Sequence, residues 1–129
     1  MNDSQLVDLA CAAREKAYAP YSKFAVGAAL LTRSGKVFTG ANVENASYGL
    51  SICAERSAVF AAVSAGETEF EAIAVVTENG GSPCGACRQV LSEFGLETRV
   101  IIADNERNQT HWTVGDLLPN AFRPQHLKT

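Results

Sequence analysis

The chain has 129 residues, a formal net charge of −3 at pH 7 and a hydrophobic fraction of 47%. This length predicts a single domain over residues 1–129, which folds without disulfide bonds. The acidic balance argues against a protein that binds nucleic acid, because such proteins carry a basic surface. Residues 1–5 do not resemble a signal peptide, and the longest apolar run, residues 24–31, is too short to cross a bilayer. We therefore expect a cytoplasmic protein without membrane contact, in which the cysteines stay reduced.

The first predicted elements are a helix and a hairpin. Apolar side chains recur at helical spacing over residues 4–18, and Asp3 or Ser4 can cap this helix. Residues 24–32 and 36–43 predict two strands around a Ser-Gly turn, which together form an antiparallel hairpin.

The rest of the chain alternates between helices and strands. Helices are predicted over residues 52–65 and 85–94, and strands over residues 71–77, 98–103 and 112–114. This order predicts an α/β fold, because a strand, helix, strand connection makes a right-handed crossover between parallel strands. We expect a mixed sheet with an N-terminal antiparallel hairpin, parallel later strands and helices on both faces.

Three cysteines have the spacing of metal ligands. Residues 84–87 have the sequence Cys-Gly-Ala-Cys, which places two thiols one helical turn apart. Redox dithiols share this motif, so a metal site needs a third ligand, and Cys53 is the candidate. Cys53 and Cys84 both lie where the chain enters a predicted helix, and there the helix dipole favours a thiolate. Three protein ligands leave tetrahedral zinc one open position, as in catalytic sites.

A carboxylate follows the third cysteine closely. Glu55 lies two residues after Cys53, and a water activated by zinc needs a base of this kind. Residues two apart do not share a helix face. Both side chains can approach one metal only if the metal lies beyond the helix N-terminus. The prediction therefore requires Cys53 in the first turn.

Taken together, these motifs are typical of the zinc deaminases, in which a Cys-x-Glu segment accompanies a Pro-Cys-x-x-Cys segment. The chain resembles the small cytidine deaminases over nearly its whole length. The matching segments are SKFAVGAAL (22–30), NVEN (42–45), ICAERSAVF (52–60), PCGACRQ (83–89) and LLPNAF (117–122).

The resemblance implies a zinc-dependent hydrolysis of cytidine, and of 2′-deoxycytidine, to uridine or deoxyuridine and ammonia. It implies one zinc ion per chain, bound by Cys53, Cys84 and Cys87. Glu55 would carry the protons of the reaction. Arg56 would hydrogen-bond the ligand thiolates and so reduce the charge on the sulfurs.

The resemblance also implies a nucleoside site and an assembly. Asn42 and Glu44 would bind the ribose hydroxyls, Phe24 would stack near the pyrimidine, and the backbone around Ala54 would contact the base. The family implies a homotetramer in which Phe122 completes the site of a neighbouring subunit.

Two sequence features agree with this assembly. Phe122 lies in a stiff segment between Pro119 and Pro124. A strip of small side chains on the second predicted helix would let another helix approach; its members are Ala54, Ala58, Ala61, Ala62 and Ala65. The alternative is that this strip packs on the chain's own sheet.

Other functions stay open at this stage. Within the same chemistry, the chain could deaminate a different cytosine nucleoside, such as an aminoacylnucleoside antibiotic, although Glu44 favours a free ribose. From other classes, it could be a structural zinc module with Cys11 as fourth ligand, or a redox dithiol protein.

Individual residues also have simpler interpretations. Phe24 is as compatible with the core as with stacking. Glu55 could be a solvated carboxylate in a first helical turn, and Asn42 and Glu44 could be turn and strand-end residues. We expect Cys11 to be a small hydrophobe on the alanine-rich face of the first helix. His111 and His126 have no ligand-like spacing, and no role is assigned to them.

Overall fold

The computed structural model describes residues 1–127. Within this range there are nine main helices and strands, in the order α1 Asp3–Arg14, β1 Gly27–Thr32, β2 Val37–Ala41, α2 Ala54–Ser64, β3 Phe70–Val76, α3 Gly85–Ser92, β4 Arg99–Ala103, β5 Gln109–Thr113 and α4 Val114–Leu117. Single 3-10 turns cover Tyr48–Leu50 and Pro124–Leu127. None of the helices described is long and apolar enough to span a membrane.

The strands form one mixed sheet in the order β2-β1-β3-β4-β5. β1 pairs antiparallel with both β2 and β3, and β3 pairs parallel with β4 across the α3 connection. The predicted α/β fold with a mixed sheet is therefore confirmed.

The direction of the last strand was predicted wrongly. β5 runs antiparallel to β4, not parallel to it. The two strands are joined directly by residues 104–108, and a connection without a crossover helix can only return the chain antiparallel. The Asp104 side chain stabilises this turn by accepting hydrogen bonds from the backbone N–H groups of Glu106 and Asn108, both at 2.9 Å.

Helices cover both faces of the sheet, as predicted. Buried side chains of α1, such as Leu6 and Val7, pack on one face, against Ile101 among others. The buried side chains of α2 and α3, including Val59 and Leu91, pack on the other face. Each face thus has its own apolar layer, and the two helices that carry the candidate ligands share one of them.

Two element boundaries differ from the predictions for reasons of hydrogen bonding. α1 is capped by Asn2, whose side chain accepts from the Gln5 N–H at 2.8 Å, and not by Asp3 or Ser4. β1 begins at Gly27 and not at residue 24. The Val26 N–H and the Phe24 carbonyl, which precede it, form hydrogen bonds with the Asn42 side chain instead of with a neighbouring strand.

The alanine strip on α2 divides between two faces. Ala54, Ala58 and Ala62 are fully buried against the chain's own sheet, whereas Ala61 and Ala65 are exposed. For the three buried alanines, the alternative of packing within the chain is therefore correct.

Candidate active site

The candidate zinc ligands meet where α2 and α3 begin. Cys53 is the N-cap of α2, Cys84 is the N-cap of α3, and Cys87 lies in the first turn of α3. The three Sγ atoms all lie within 4.8 Å of one another, with 3.8 Å between Cys53 and Cys84 and 3.4 Å between Cys84 and Cys87. Because Cys53 is the N-cap of α2, the sulfur cluster lies beyond the N-terminus of that helix. Cys53 and Glu55, two residues apart, can approach one metal only in this arrangement.

The surroundings of the Cys53 sulfur favour negative charge. A hydrogen bond from the Cys87 thiol, together with the Arg56 guanidinium, lowers the pKa of Cys53 to about 5. The Arg56 Nη2 atom donates to Cys53 Sγ at 3.2 Å. The bond to Cys53 and burial raise the pKa of Cys87, which keeps the shared proton. Three soft sulfur donors around one point, at the positive ends of two helices, fit zinc well.

The Glu55 side chain lies beside this cluster and is buried in the protein. It is only 4% exposed, so the interpretation as a solvated carboxylate is wrong. Burial raises the pKa of Glu55 above its usual range. A carboxylate with a raised pKa is suited both to accept a proton and to return it.

The cluster and Glu55 open onto a cavity of about 440 Å³. This volume lies within the range of about 300–1,000 Å³ that is typical of small-molecule sites. Phe24, Asn42 and Glu44 line the cavity together with the cysteines Cys53 and Cys84. Phe24 is 38% exposed on the cavity wall, so its alternative assignment to the core is wrong.

The two polar residues assigned to the sugar are held in place by neighbouring backbone. Asn42 is buried; its Oδ1 accepts from the Val26 N–H, and its Nδ2 donates to the Phe24 carbonyl, both at 2.8 Å. Glu44 accepts hydrogen bonds from the loop that precedes Phe24. The Ser22 hydroxyl donates to Glu44 and holds the pKa of that carboxyl below its usual range.

Comparison with known proteins agrees with this geometry. The family model described as "Cytidine and deoxycytidylate deaminase zinc-binding region" matches residues 1–103. The chain belongs to this deaminase family. It is 48% identical to the cytidine deaminase of Halalkalibacterium halodurans, over 98% of both chains. The crystal structure of cytidine deaminase from Burkholderia pseudomallei superposes with a TM-score of 0.91 at 56% identity, over 95% of this chain and 100% of that one.

A further relative gives the same result at greater distance. The crystal structure of cytidine deaminase from Mycobacterium tuberculosis superposes with a TM-score of 0.81 at 46% identity, over 95% of this chain and 98% of that one. The cofactor of this deaminase domain is zinc, since the family's zinc-binding region is present and Cys53, Cys84 and Cys87 are positioned to hold a metal ion.

Cys11 takes no part in the metal cluster. It lies on α1, on the opposite face of the sheet, and lines a separate cavity with Arg14 and Arg107. The alternative of a closed structural zinc site with Cys11 as fourth ligand is therefore wrong. Cys11 is half-buried beside the core of its own face, which agrees with the expectation of a small hydrophobe.

The remaining predicted residues occupy different places. Ala54 is buried in the first turn of α2. Phe122 is 56% exposed, does not line its own chain's cavity, and is held through its carbonyl, which accepts from Gln89 Nε2 at 2.9 Å. Several residues to which the sequence assigned no role also line the cavity, among them Tyr48 and Ser82. Their positions in the sequence could have indicated this. Tyr48 lies between two of the segments that resemble the family, and Ser82 directly precedes another.

Proposed function

We propose that this deaminase converts cytidine, and 2′-deoxycytidine, to uridine or deoxyuridine with release of ammonia. The observation that carries the proposal is the placement of a buried carboxylate, Glu55, on the wall of a cavity that Cys53 and Cys84 of the three-cysteine group also line. Cys53, Cys84 and Cys87 would hold the zinc ion, which would lower the pKa of a water molecule bound to it.

Glu55 is the proton carrier in this proposal. It takes a proton from the attacking water and passes it to N3 of cytosine, which makes C4 more electrophilic. The oxygen of that water adds to C4. Glu55 then takes the remaining proton from the oxygen added at C4 and passes it to the exocyclic amino group. The C4–N bond breaks as the C4–O double bond forms, and ammonia leaves.

The other cavity residues bind and orient the nucleoside. Phe24 stacks near the pyrimidine, and the backbone around Ala54 contacts its polar edge. Asn42 and Glu44 hydrogen-bond the ribose hydroxyls. Asn42 is already fixed by two hydrogen bonds to neighbouring backbone, so it reaches the sugar without a further loss of side-chain freedom.

The charge of the cavity supports a nucleoside in preference to a nucleotide. Among its lining residues in the described part of the chain, Arg56 is the one cation, and its guanidinium faces the ligand thiols. Glu44 and Glu55 contribute carboxylates. A substrate phosphate would therefore meet negative charge without a compensating cation among the described lining residues other than Arg56. We place the enzyme in the cytoplasm, where thiol ligands stay reduced, and its conversion of cytidine to uridine would serve pyrimidine salvage.

The fall in ultraviolet absorbance of cytidine tests this proposal. We expect one zinc ion per chain, loss of turnover on treatment with a chelator, and recovery on addition of zinc. Cys84→Ala should lose zinc and activity together, whereas Cys11→Ala should keep both. Full activity of the metal-free protein would contradict the proposal.

The sugar assignment, which separates cytidine from a sugar-modified nucleoside, needs its own test. Glu44→Ala should weaken transition-state binding of cytidine by about 1.5–3 kcal/mol, because a hydrogen bond to a carboxylate is lost. Free cytosine should be a poor substrate of the parent protein. Equal kcat/KM values for cytosine and cytidine would remove the ribose role of Asn42 and Glu44.

A further inference from the structure

The Glu44 carboxylate accepts three hydrogen bonds from the loop that precedes β1. One oxygen, Oε1, accepts the backbone N–H groups of Tyr21 at 3.0 Å and Ser22 at 3.1 Å. The other oxygen, Oε2, accepts the hydroxyl proton of Ser22. Ser22 itself lines the same cavity as Glu44. The loop therefore fixes both oxygens of the one carboxylate that faces the proposed sugar position.

The direction of the Ser22 hydroxyl is set by a second contact. Its oxygen accepts the backbone N–H of Phe24 at 3.0 Å. A hydroxyl has a single proton, so an oxygen that already accepts from Phe24 turns its proton toward Glu44. Lys23, between the two, has a φ of 61°, in the left-handed region that residues with side chains rarely adopt. Contacts on either side of Lys23 must hold this conformation.

We propose that Ser22 is a positioning residue for the sugar: its hydroxyl, oriented by the Phe24 amide, holds the Glu44 carboxylate in the rotamer that receives a ribose hydroxyl. This inference rests on the proposed function. A glutamate at the mouth of a cavity otherwise samples several rotamers, and ordering it on binding weakens affinity. The two backbone N–H groups hold Oε1, and the Ser22 hydroxyl holds Oε2, so that the ordering of the carboxylate is complete before the nucleoside arrives.

The test compares substrates with and without the sugar hydroxyls. In Ser22→Ala, KM for cytidine should rise about tenfold, the effect of one hydrogen bond to a charged group, while kcat changes less than about threefold. For 2′,3′-dideoxycytidine, which offers Glu44 no hydroxyl at these positions, KM should change less than about threefold. Ser22→Thr retains the hydroxyl and should restore the parent's KM for cytidine.

Ser34→Ala is the matched control. Ser34 also donates to a glutamate, Glu67, at 2.5 Å, but in the β1–β2 turn and outside the cavity lining. It should leave both KM values unchanged. Ser22 has no positioning role if Ser22→Ala leaves both KM values unchanged, as Ser34→Ala should, or raises both by the same factor. In either case, turnover of cytidine by the parent still supports the proposed function. A zinc-loaded parent that does not convert cytidine would overturn both.

Discussion

Glu55 and Arg56 are neighbours in the first turn of α2, yet their side chains face different groups. Consecutive residues of a helix point about 100° apart, since one turn takes about 3.6 residues. Glu55 therefore turns into the cavity, and Arg56 turns toward the sulfur of Cys53 at 3.2 Å. At the scale of single residues, proton transfer and charge compensation can thus be separated by mutation.

Glu55→Gln should retain the fold and the zinc ion but lose turnover. General acid and base catalysis contributes about 10²–10⁴-fold, and here one carboxylate serves both proton transfers, so the loss in kcat should reach at least that range. Zinc content and the unfolding midpoint should match the parent. A kcat within about tenfold of the parent would mean that another group carries the proton.

Arg56→Ala should lower activity more than stability. It removes a charge-assisted hydrogen bond to Cys53, worth about 1.5–3 kcal/mol, and leaves more negative charge on the sulfurs. We expect kcat/KM for cytidine to fall about tenfold. The free energy of unfolding of the zinc-loaded protein, measured in urea, should change less. Arg33→Ala is the control, since Arg33 is exposed and lies outside the cavity lining. Unchanged turnover and zinc retention would make Arg56 an ordinary surface charge.

At the scale of elements, the position of α2 depends on how closely it lies on β2. A Cβ atom at Gly40 would come within 2.5 Å of the Ala54 carbonyl oxygen and 2.7 Å of the Ala58 amide nitrogen. These atoms belong to helix backbone, so they cannot turn aside. Because Cys53 and Glu55 lie at the start of α2, the absence of a side chain at Gly40 sets the distance between sheet and site.

Gly40→Ala should therefore destabilise the protein and weaken its hold on zinc. Overpacking of this kind costs about 1–3 kcal/mol or more. We expect a lower urea midpoint and faster release of zinc to a colorimetric chelator. Gly49→Ala is the matched control, since nothing lies within 4 Å of the added methyl group. A Gly40→Ala protein within about 0.5 kcal/mol of the parent would show that α2 can shift without consequence.

Local signals explain which parts of this structure were predictable. The two helix starts that carry Cys53 and Cys84 have clear motifs, so the grouping of the thiols followed from sequence. The direction of β5 did not, because a three-residue pattern at 112–114 concealed both the length of the strand and the short turn before it. The contact of Ser22 with Glu44 was also out of reach, since it depends on the path of a loop and not on any periodicity.

At the scale of the whole molecule, apolar side chains remain uncovered on the face of α2 that points away from the sheet. Phe60 is 47% exposed and Val63 is 39% exposed, although both lie on a helix whose other face is core. Large apolar side chains grouped on an exposed helix face are typical of an interface between chains. This face, and not the buried alanines, supports the homotetramer that the family resemblance implies, because a symmetric assembly can pack a helix against its own copy.

The expected tetramer, in which Phe122 would complete a neighbour's cavity, is testable in two steps. Sedimentation at assay concentration should give the mass of four chains. Phe122→Ala should then lower kcat/KM for cytidine by about tenfold or more, because aromatic residues contribute about 2 kcal/mol when they fill a partner's pocket. Leu127→Ala is the control, since Leu127 is also exposed and apolar and lies in the same tail. A fully active monomer would contradict both steps. A tetramer that is indifferent to Phe122→Ala would keep the assembly and limit Phe122 to packing beside His126, whose ring lies 5.6 Å from its own.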